Sequence, residues 1–296
     1  EVVEFLRPEH KIADLIGFEN LKQFIIEEII PGLRLMTKHA ISSIIVCGPN
    51  RSGKTYTFEA VAGELGIPIL VLKNLRSQWF GQTDVIFGRL KRVLEVLRKV
   101  LIYVNEADTQ FGSISGDAHE TEKRLTGRLQ AMMSDTKLKG RVHWILDTAR
   151  PHRLSVDIRQ AGRGGDVIVA VFDPEGEQRK VFIRWALEHV LDVPLDDVAM
   201  GRVDVATQEY SVGAFTTLRS KLNRKATGTD GKLTVEAVLA IVEDTLLPDV
   251  ALDRLYQTIQ GALNCTSKRL LAPSYRDISR ADLARKAADL EAIGIK

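Results

Sequence analysis

The sequence runs to 296 residues, 45% hydrophobic and 27% charged, long enough for two domains and a substantial core of ordinary globular type. A net charge of +2 argues against a dedicated nucleic-acid binder, and two cysteines, Cys47 and Cys265, give neither a metal spacing nor a disulfide framework. No apolar run reaches the roughly 18 residues of a membrane span and no secretory signal is visible, so an intracellular, cytoplasmic setting is the default expectation; the start at Glu1 without Met suits a piece of a longer protein.

The first 40 residues read as an N-terminal segment and leading helix. Apolar positions recur at helical spacing over 20–30, and Pro31-Gly32 is expected to end that helix. From Ile41 onward strand and helix signals alternate. Strands are predicted over 41–47, 68–72, 100–104, 142–146 and 167–171, with helices over 56–65, 83–97 and 120–133. This alternation predicts an α/β nucleotide-binding domain over 41–173, a mostly parallel sheet with helices on both faces. After Asp173-Pro174 every signal is helical, over 179–190, 213–225, 234–246, 250–263 and 276–292. Residues 174–296 are therefore assigned to a smaller all-helical lid and C-terminal helices.

Between the first strand and its helix, Gly48-Pro49-Asn50-Arg51-Ser52-Gly53-Lys54-Thr55 fits G-x-x-x-x-G-K-[ST]. In such a loop the backbone N–H groups wrap a polyphosphate, the Lys reaches the β/γ-phosphates and the Thr hydroxyl binds Mg²⁺. Tyr56 opens the helix whose N-terminus would face the phosphates. A nucleoside triphosphate site follows, with residues 49–56 as its contacts. A second signature closes the third strand, where four apolar residues and Asn105-Glu106 resemble a Walker B element. Glu106 is placed to polarise an attacking water. Asn105 falls where a metal-side acid is expected, and a neutral amide is the weaker partner for a hard cation. The histidines at 39, 119, 143 and 152 lack metal spacing, and the basic runs at 221–225 and 268–269 read as solvated helix faces.

Over roughly residues 8–226 the chain resembles the AAA ATPase family. Asp14-Leu15-Ile16-Gly17 is similar to the family's D-[IV]-G-G segment, which would set Ile16 and Gly17 against an adenine. Gln78-Trp79-Phe80-Gly81 resembles the aromatic pore loop. Asp147-Thr148-Ala149-Arg150-Pro151 resembles the sensor 1 strand end, normally A-T-N-R-P. Arg159-Gln160-Ala161-Gly162-Arg163 resembles the arginine-finger segment. Tyr210-Ser211-Val212-Gly213-Ala214 resembles the start of the lid helix, whose Gly213 and Ala214 would touch the base. The resemblance implies ATP and Mg²⁺ as cofactors, with Thr55 and Asn105 on the metal side. It implies Lys54 and Glu106 as catalytic groups, and Arg163 and Arg159 acting on a neighbouring subunit's nucleotide. It also implies a ring homo-oligomer, hexameric by family habit, with Trp79 and Phe80 gripping a protein substrate. From the residues alone, Trp79 and Phe80 would equally suit packing against a neighbouring helix, and the two arginines would be ordinary solvated charges.

Three departures bear on turnover: Asn105 for Asp, Ala149 for the sensor Asn and Gln160 for Arg. Thr148 or Asp147 could stand in for the sensor if the strand register differs by one residue. The expected function is an ATP-hydrolysing ring protein that remodels or threads a protein substrate. A nucleotide-binding structural or regulatory subunit with little hydrolysis is the alternative. A DNA-directed ATPase is the weaker alternative, which salt-sensitive DNA binding would reveal.

Overall fold

The computed structural model describes residues 3–72, 83–111, 120–160, 165–228 and 231–296. The first strand, β1 (Val3–Leu6), precedes a helical stretch that the sequence reading cut short. Here α1 (Glu19–Phe24) passes through a π turn, Ile25–Ile29, into α2 (Ile30–Arg34), with the Ile30 N–H bonded to the Ile25 carbonyl. The helix expected to stop at Pro31-Gly32 thus continues to Arg34. Pro31 lies in the first turn of α2, where a missing N–H is tolerated, and the π turn shifts the preceding carbonyls out of the register in which the ring would clash.

The α/β body follows in chain order as β2 (Ser43–Cys47), α3 (Lys54–Leu65), β3 (Ile69–Leu72), α4 (Thr83–Val96), β4 (Val100–Val104), α5 (Ala107–Phe111), α6 (Glu120–Met133), β5 (Val142–Thr148), α7 (Val156–Arg159) and β6 (Val167–Ala170). The six strands lie in the order β1-β3-β4-β5-β2-β6. β1 runs antiparallel to β3 along one edge, and the remaining pairings are parallel. Every residue of β2, β4 and β5 is buried, because both faces of the sheet are covered, and the strands accordingly read as apolar runs without alternation. Chain connections leave β2 toward β3 on one side, while β6 flanks it on the other. The crevice at its carboxyl end is therefore a switch point, the place where open α/β sheets bind ligands.

Beyond the sheet come α8 (Gly176–Leu187), α9 (Asp197–Ala206), α10 (Val212–Thr227), α11 (Val235–Glu243), α12 (Ala251–Asn264) and α13 (Arg280–Ala292). The range 174–296 divides between two cores. Phe182, Ile183, Val203, Phe215, Leu222 and Val238 build a separate helical core from α8 to α11. Tyr256, Ile259, Ala262, Leu283 and Leu290 of α12 and α13 join the core of the sheet instead. No described helix is long and apolar enough to cross a membrane.

Burial of two imidazoles sets an acid limit on this fold. His143 in β5 is inaccessible to solvent and its Nδ1 lies 2.7 Å from the Ile41 carbonyl, which a neutral ring satisfies by donating. Burial pushes its pKa down to about 4. Burial and then the charge of Arg153 bring His152 to about 4 as well. Both folded values lie below the roughly 6.5 of a free imidazole, so the unfolded chain binds protons first. Stability should therefore be intact above pH 6.5 and fall as pH drops toward 4, by up to about 1.4 kcal/mol per pH unit for His143 and by less for the partly exposed, solvent-screened His152. Urea midpoints at pH 7 and pH 5 measure this, and His143→Gln should flatten the dependence; a midpoint indifferent to pH would contradict it.

Candidate functional site

β2 delivers the chain into the phosphate loop at Gly48, whose φ is +135°. A Cβ there would stand 2.1 Å from the Val171 carbonyl oxygen, so only glycine lets β2 turn beside the end of β6. Arg51 and Gly53 take positive φ on either side of Ser52, and alternation of this kind turns successive N–H groups into one concavity. α3 starts at Lys54 without any side-chain cap on its first N–H groups, which leaves them and the dipole for an anion. The Ser52 hydroxyl is buried and unpartnered among the described residues. Lys54 folds back into the loop, donating to the carbonyls of Gly48 (3.1 Å) and Pro49 (2.9 Å).

Above the loop, a cavity of about 550 Å³ opens between the α/β body and the helical core, within the range of small-molecule sites. Arg51, Gly53, Lys54 and Thr55 form its polar end; Ile16, Phe18, Tyr56, Phe182, Trp185 and Gly213 are among its other walls. A charged cradle beside apolar and aromatic walls suits a polyphosphate joined to a flat base. Gly213 permits the close approach of α10: a Cβ there would lie 2.8 Å from the Arg51 Cβ, and its N–H donates to the Arg51 carbonyl at 3.1 Å. Gly17 backs onto the Phe182 ring, and the Ala214 N–H is taken by the capping hydroxyl of Ser211 at 3.1 Å; neither belongs to the cavity wall, nor do Pro49, Asn50 and Ser52. Asn50 is held from the far side, its N–H on Gln257 Oε1 at 2.9 Å and its carbonyl on Arg254, which also pairs with Asp173. His10 stacks on Tyr56 at 3.8 Å between ring centres.

The ends of β4 and β5 lie on the same side of the sheet as the loop. Asn105 and Glu106 are exposed; Glu106 has φ +48° and its N–H is held by Asn105 Oδ1 at 3.0 Å. β5 continues two residues beyond the predicted strand and carries Asp147 and Thr148 into the interior. Asp147, 4% exposed, stands 3.7 Å from Lys54 Nζ through Oδ1. Its Oδ2 accepts from Thr55 Oγ1 at 3.3 Å and from the Tyr103 hydroxyl, which is also 3.0 Å from Thr55 Oγ1. Burial raises the Asp147 pKa, and Lys54 with the two hydroxyls opposes that rise; burial and the Asp147 charge push Tyr103 well above its ordinary value. Behind them Thr148 Oγ1 donates to buried Asp108 at 2.6 Å, and Arg150 closes on the same carboxylate at 2.7 Å. Arg159 is tied inside the chain, donating to the Leu154 carbonyl and to Asn264 Oδ1, both at 3.2 Å. Trp79, Phe80 and Arg163 lie outside the described residues.

The sequence reading missed Tyr103 as a partner of the loop and gave Asp147 only a conditional place. The one signal was a charged residue directly after an apolar run, which is costly to bury unless something there needs it. The aromatic walls Phe18, Phe182 and Trp185 carried no such signal. Oxygen donors at Thr55 and Asp147 suit magnesium, which is held by one or two carboxylates and the phosphates of its nucleotide. Among the described residues no group of three or more His, Cys, Asp or Glu could cage a metal by itself.

Comparison with known proteins places these features. Residues 44–170 match the family model of the ATPase family associated with various cellular activities (AAA). The chain is 26% identical over 171 residues to Protein SAV of Sulfolobus acidocaldarius, covering 57% of this chain and 21% of that protein. It is 26% identical over 178 residues to a Cell division cycle protein 48 homolog of Archaeoglobus fulgidus, covering 58% and 23% respectively. It is 24% identical over 160 residues to Vacuolar protein sorting-associated protein 4B of Mus musculus, covering 48% and 36%. The match thus spans well under half the length of each of these relatives. With the phosphate loop at the switch point, a cavity between two cores, and this family match over the same strands, residues 44–170 form a domain of the AAA ATPase family.

Proposed function

We propose that the chain is an ATP-hydrolysing subunit of a ring, hexameric by family habit, that remodels or threads a protein substrate through a central pore. The observation that carries this reading is the uncapped N-terminus of α3 opening, through the phosphate loop, into a 550 Å³ cavity between two cores. In it the loop N–H groups and Lys54 take the phosphates, and the walls at Ile16, Tyr56 and Gly213 enclose the base. Bound with the nucleotide, magnesium supplies charge neutralisation at the phosphate oxygens. Glu106 orients the attacking water, and Arg163 of a neighbouring subunit completes the site. Arg159, bonded to Asn264, fits a role in anchoring that segment better than one on a neighbour's nucleotide. Trp79 and Phe80 are proposed to grip the substrate.

Imaging the particle with ATP and a protein substrate tests this. A closed ring with an extended chain beside Trp79 is expected, and a monomer under saturating ATP would contradict it. A second reading, a nucleotide-binding structural subunit with little turnover, is favoured by Asn105, whose amide is occupied with the Glu106 N–H, and by Ala149. Steady-state phosphate release separates the two. Release no faster than that of Lys54→Ala would favour the second.

A further inference from the structure

An amide at Asn105, where an acid is expected, and a buried acid at Asp147 stand at the ends of neighbouring strands. The parallel register pairs Val104 with Leu146 and Val46 with Asp147. Residue 105 is therefore level with Asp147 across β4 and β5, and Asp147 is one strand nearer the phosphate loop. The Asn105 side chain is engaged by the Glu106 N–H in an exposed position. Asp147 instead reaches the loop directly. Oδ2 holds the Thr55 hydroxyl, with Tyr103 bracing both groups, and Oδ1 faces Lys54. A carboxylate buried between Leu146 and Thr148 in a strand with no exposed residue is expensive to keep, and it lies where a magnesium nucleotide needs a hard oxygen donor beside the loop threonine.

We propose that Asp147, with Thr55, holds the magnesium ion of the bound nucleotide, the acid having moved one strand sideways from position 105. Tyr103 is the positioning residue that fixes the carboxylate and the threonine hydroxyl relative to each other. With Lys54 engaged by phosphate, Oδ1 would be the carboxylate oxygen left available to the ion, since Oδ2 accepts from both hydroxyls. The inference rests on the nucleotide reading above.

The test uses the full chain and a fluorescent ATP analogue, titrated in excess Mg²⁺ and again in EDTA. The quantity read is the ratio of the two affinities, with Mn²⁺ in place of Mg²⁺ and its electron-spin spectrum as a direct check on the bound ion. Asp147→Asn should lower that ratio by about 10- to 100-fold while leaving affinity in EDTA within about threefold of wild type. Asn105→Asp added to Asp147→Asn should recover at least tenfold of the loss. In the otherwise wild-type chain Asn105→Asp should change the ratio by less than about threefold, because the position of the acid is already filled. An unchanged ratio in Asp147→Asn, an equal loss in EDTA and in Mg²⁺, or no recovery in the double variant would each overturn the inference. If Asp147→Asn does not fold, the exposed Asn105→Asp decides alone, and a tenfold rise in its ratio would overturn it. Wild-type protein that fails to bind the analogue in either medium would remove the nucleotide reading, and this inference with it; wild-type binding without the predicted dependence on Asp147 would remove only the inference.

Discussion

Glu106→Gln is expected to bind ATP within about threefold of wild type and to release phosphate about 10²- to 10⁴-fold more slowly, the usual contribution of a positioned acid or base. The substitution keeps the shape of the side chain and removes its charge. Glu106 stands at the exposed end of β4, outside the cavity wall, so binding should survive. Its backbone is fixed in the left-handed region and pinned by Asn105; non-glycine residues hold such conformations at a cost, often at functional sites. The diagnostic pattern is a fall in kcat with little change in KM. Equal turnover in the variant would take Glu106 out of the reaction and leave the water to another group.

Lys54→Ala should act in the opposite sense, on binding first. A lysine that is 7% exposed and aimed at a triphosphate forms a desolvated charge pair, and truncating one member of such a pair costs about 2–5 kcal/mol of affinity, roughly 1.5 to 3.5 decades. The folded state should suffer less. Asp147 would lose its ammonium neighbour, but its pKa is already raised by burial, and a carboxyl that takes up a proton need not remain as a bare buried charge. A thermal melt without nucleotide should therefore shift by only a few degrees, while protection by ATP disappears. Retained protection would mean that the loop N–H groups suffice to hold the phosphates.

Much of this architecture was legible because local and long-range signals agreed. β4 and α6 occupy the predicted residues, since a five-residue apolar run and a long helical period leave little freedom in where they start and stop. The phosphate loop was legible as a motif because its glycines and lysine meet a backbone requirement. β5 was read two residues short for a physical reason. Asp147 and Thr148 look like a loop until Tyr103, Thr55 and Asp108 supply the hydrogen bonds that let them stay buried. The far walls of the cavity were illegible. Phe182 and Trp185 lie more than a hundred residues after the loop, and nothing in the period of α8 tells which aromatic faces a neighbour core and which a ligand. The placement of α12 and α13 on the sheet was hidden in the same way, because an amphipathic helix declares an apolar face without naming what covers it.

The tethering of the phosphate loop has a mechanical corollary. Asn50 is bonded at both its N–H and its carbonyl to α12, a helix rooted in the sheet, while the next carbonyl, that of Arg51, carries the first turn of α10 in the separate helical core. Two consecutive residues thus form a hinge pin shared by two bodies. Any reshaping of that dipeptide either drags a helix along or breaks a hydrogen bond with a net worth of about 0.5–1.5 kcal/mol. A change in the loop would therefore be felt at α10 and α12 together, alongside the second tie that Asp173 makes between them through the Val212 N–H and Arg254.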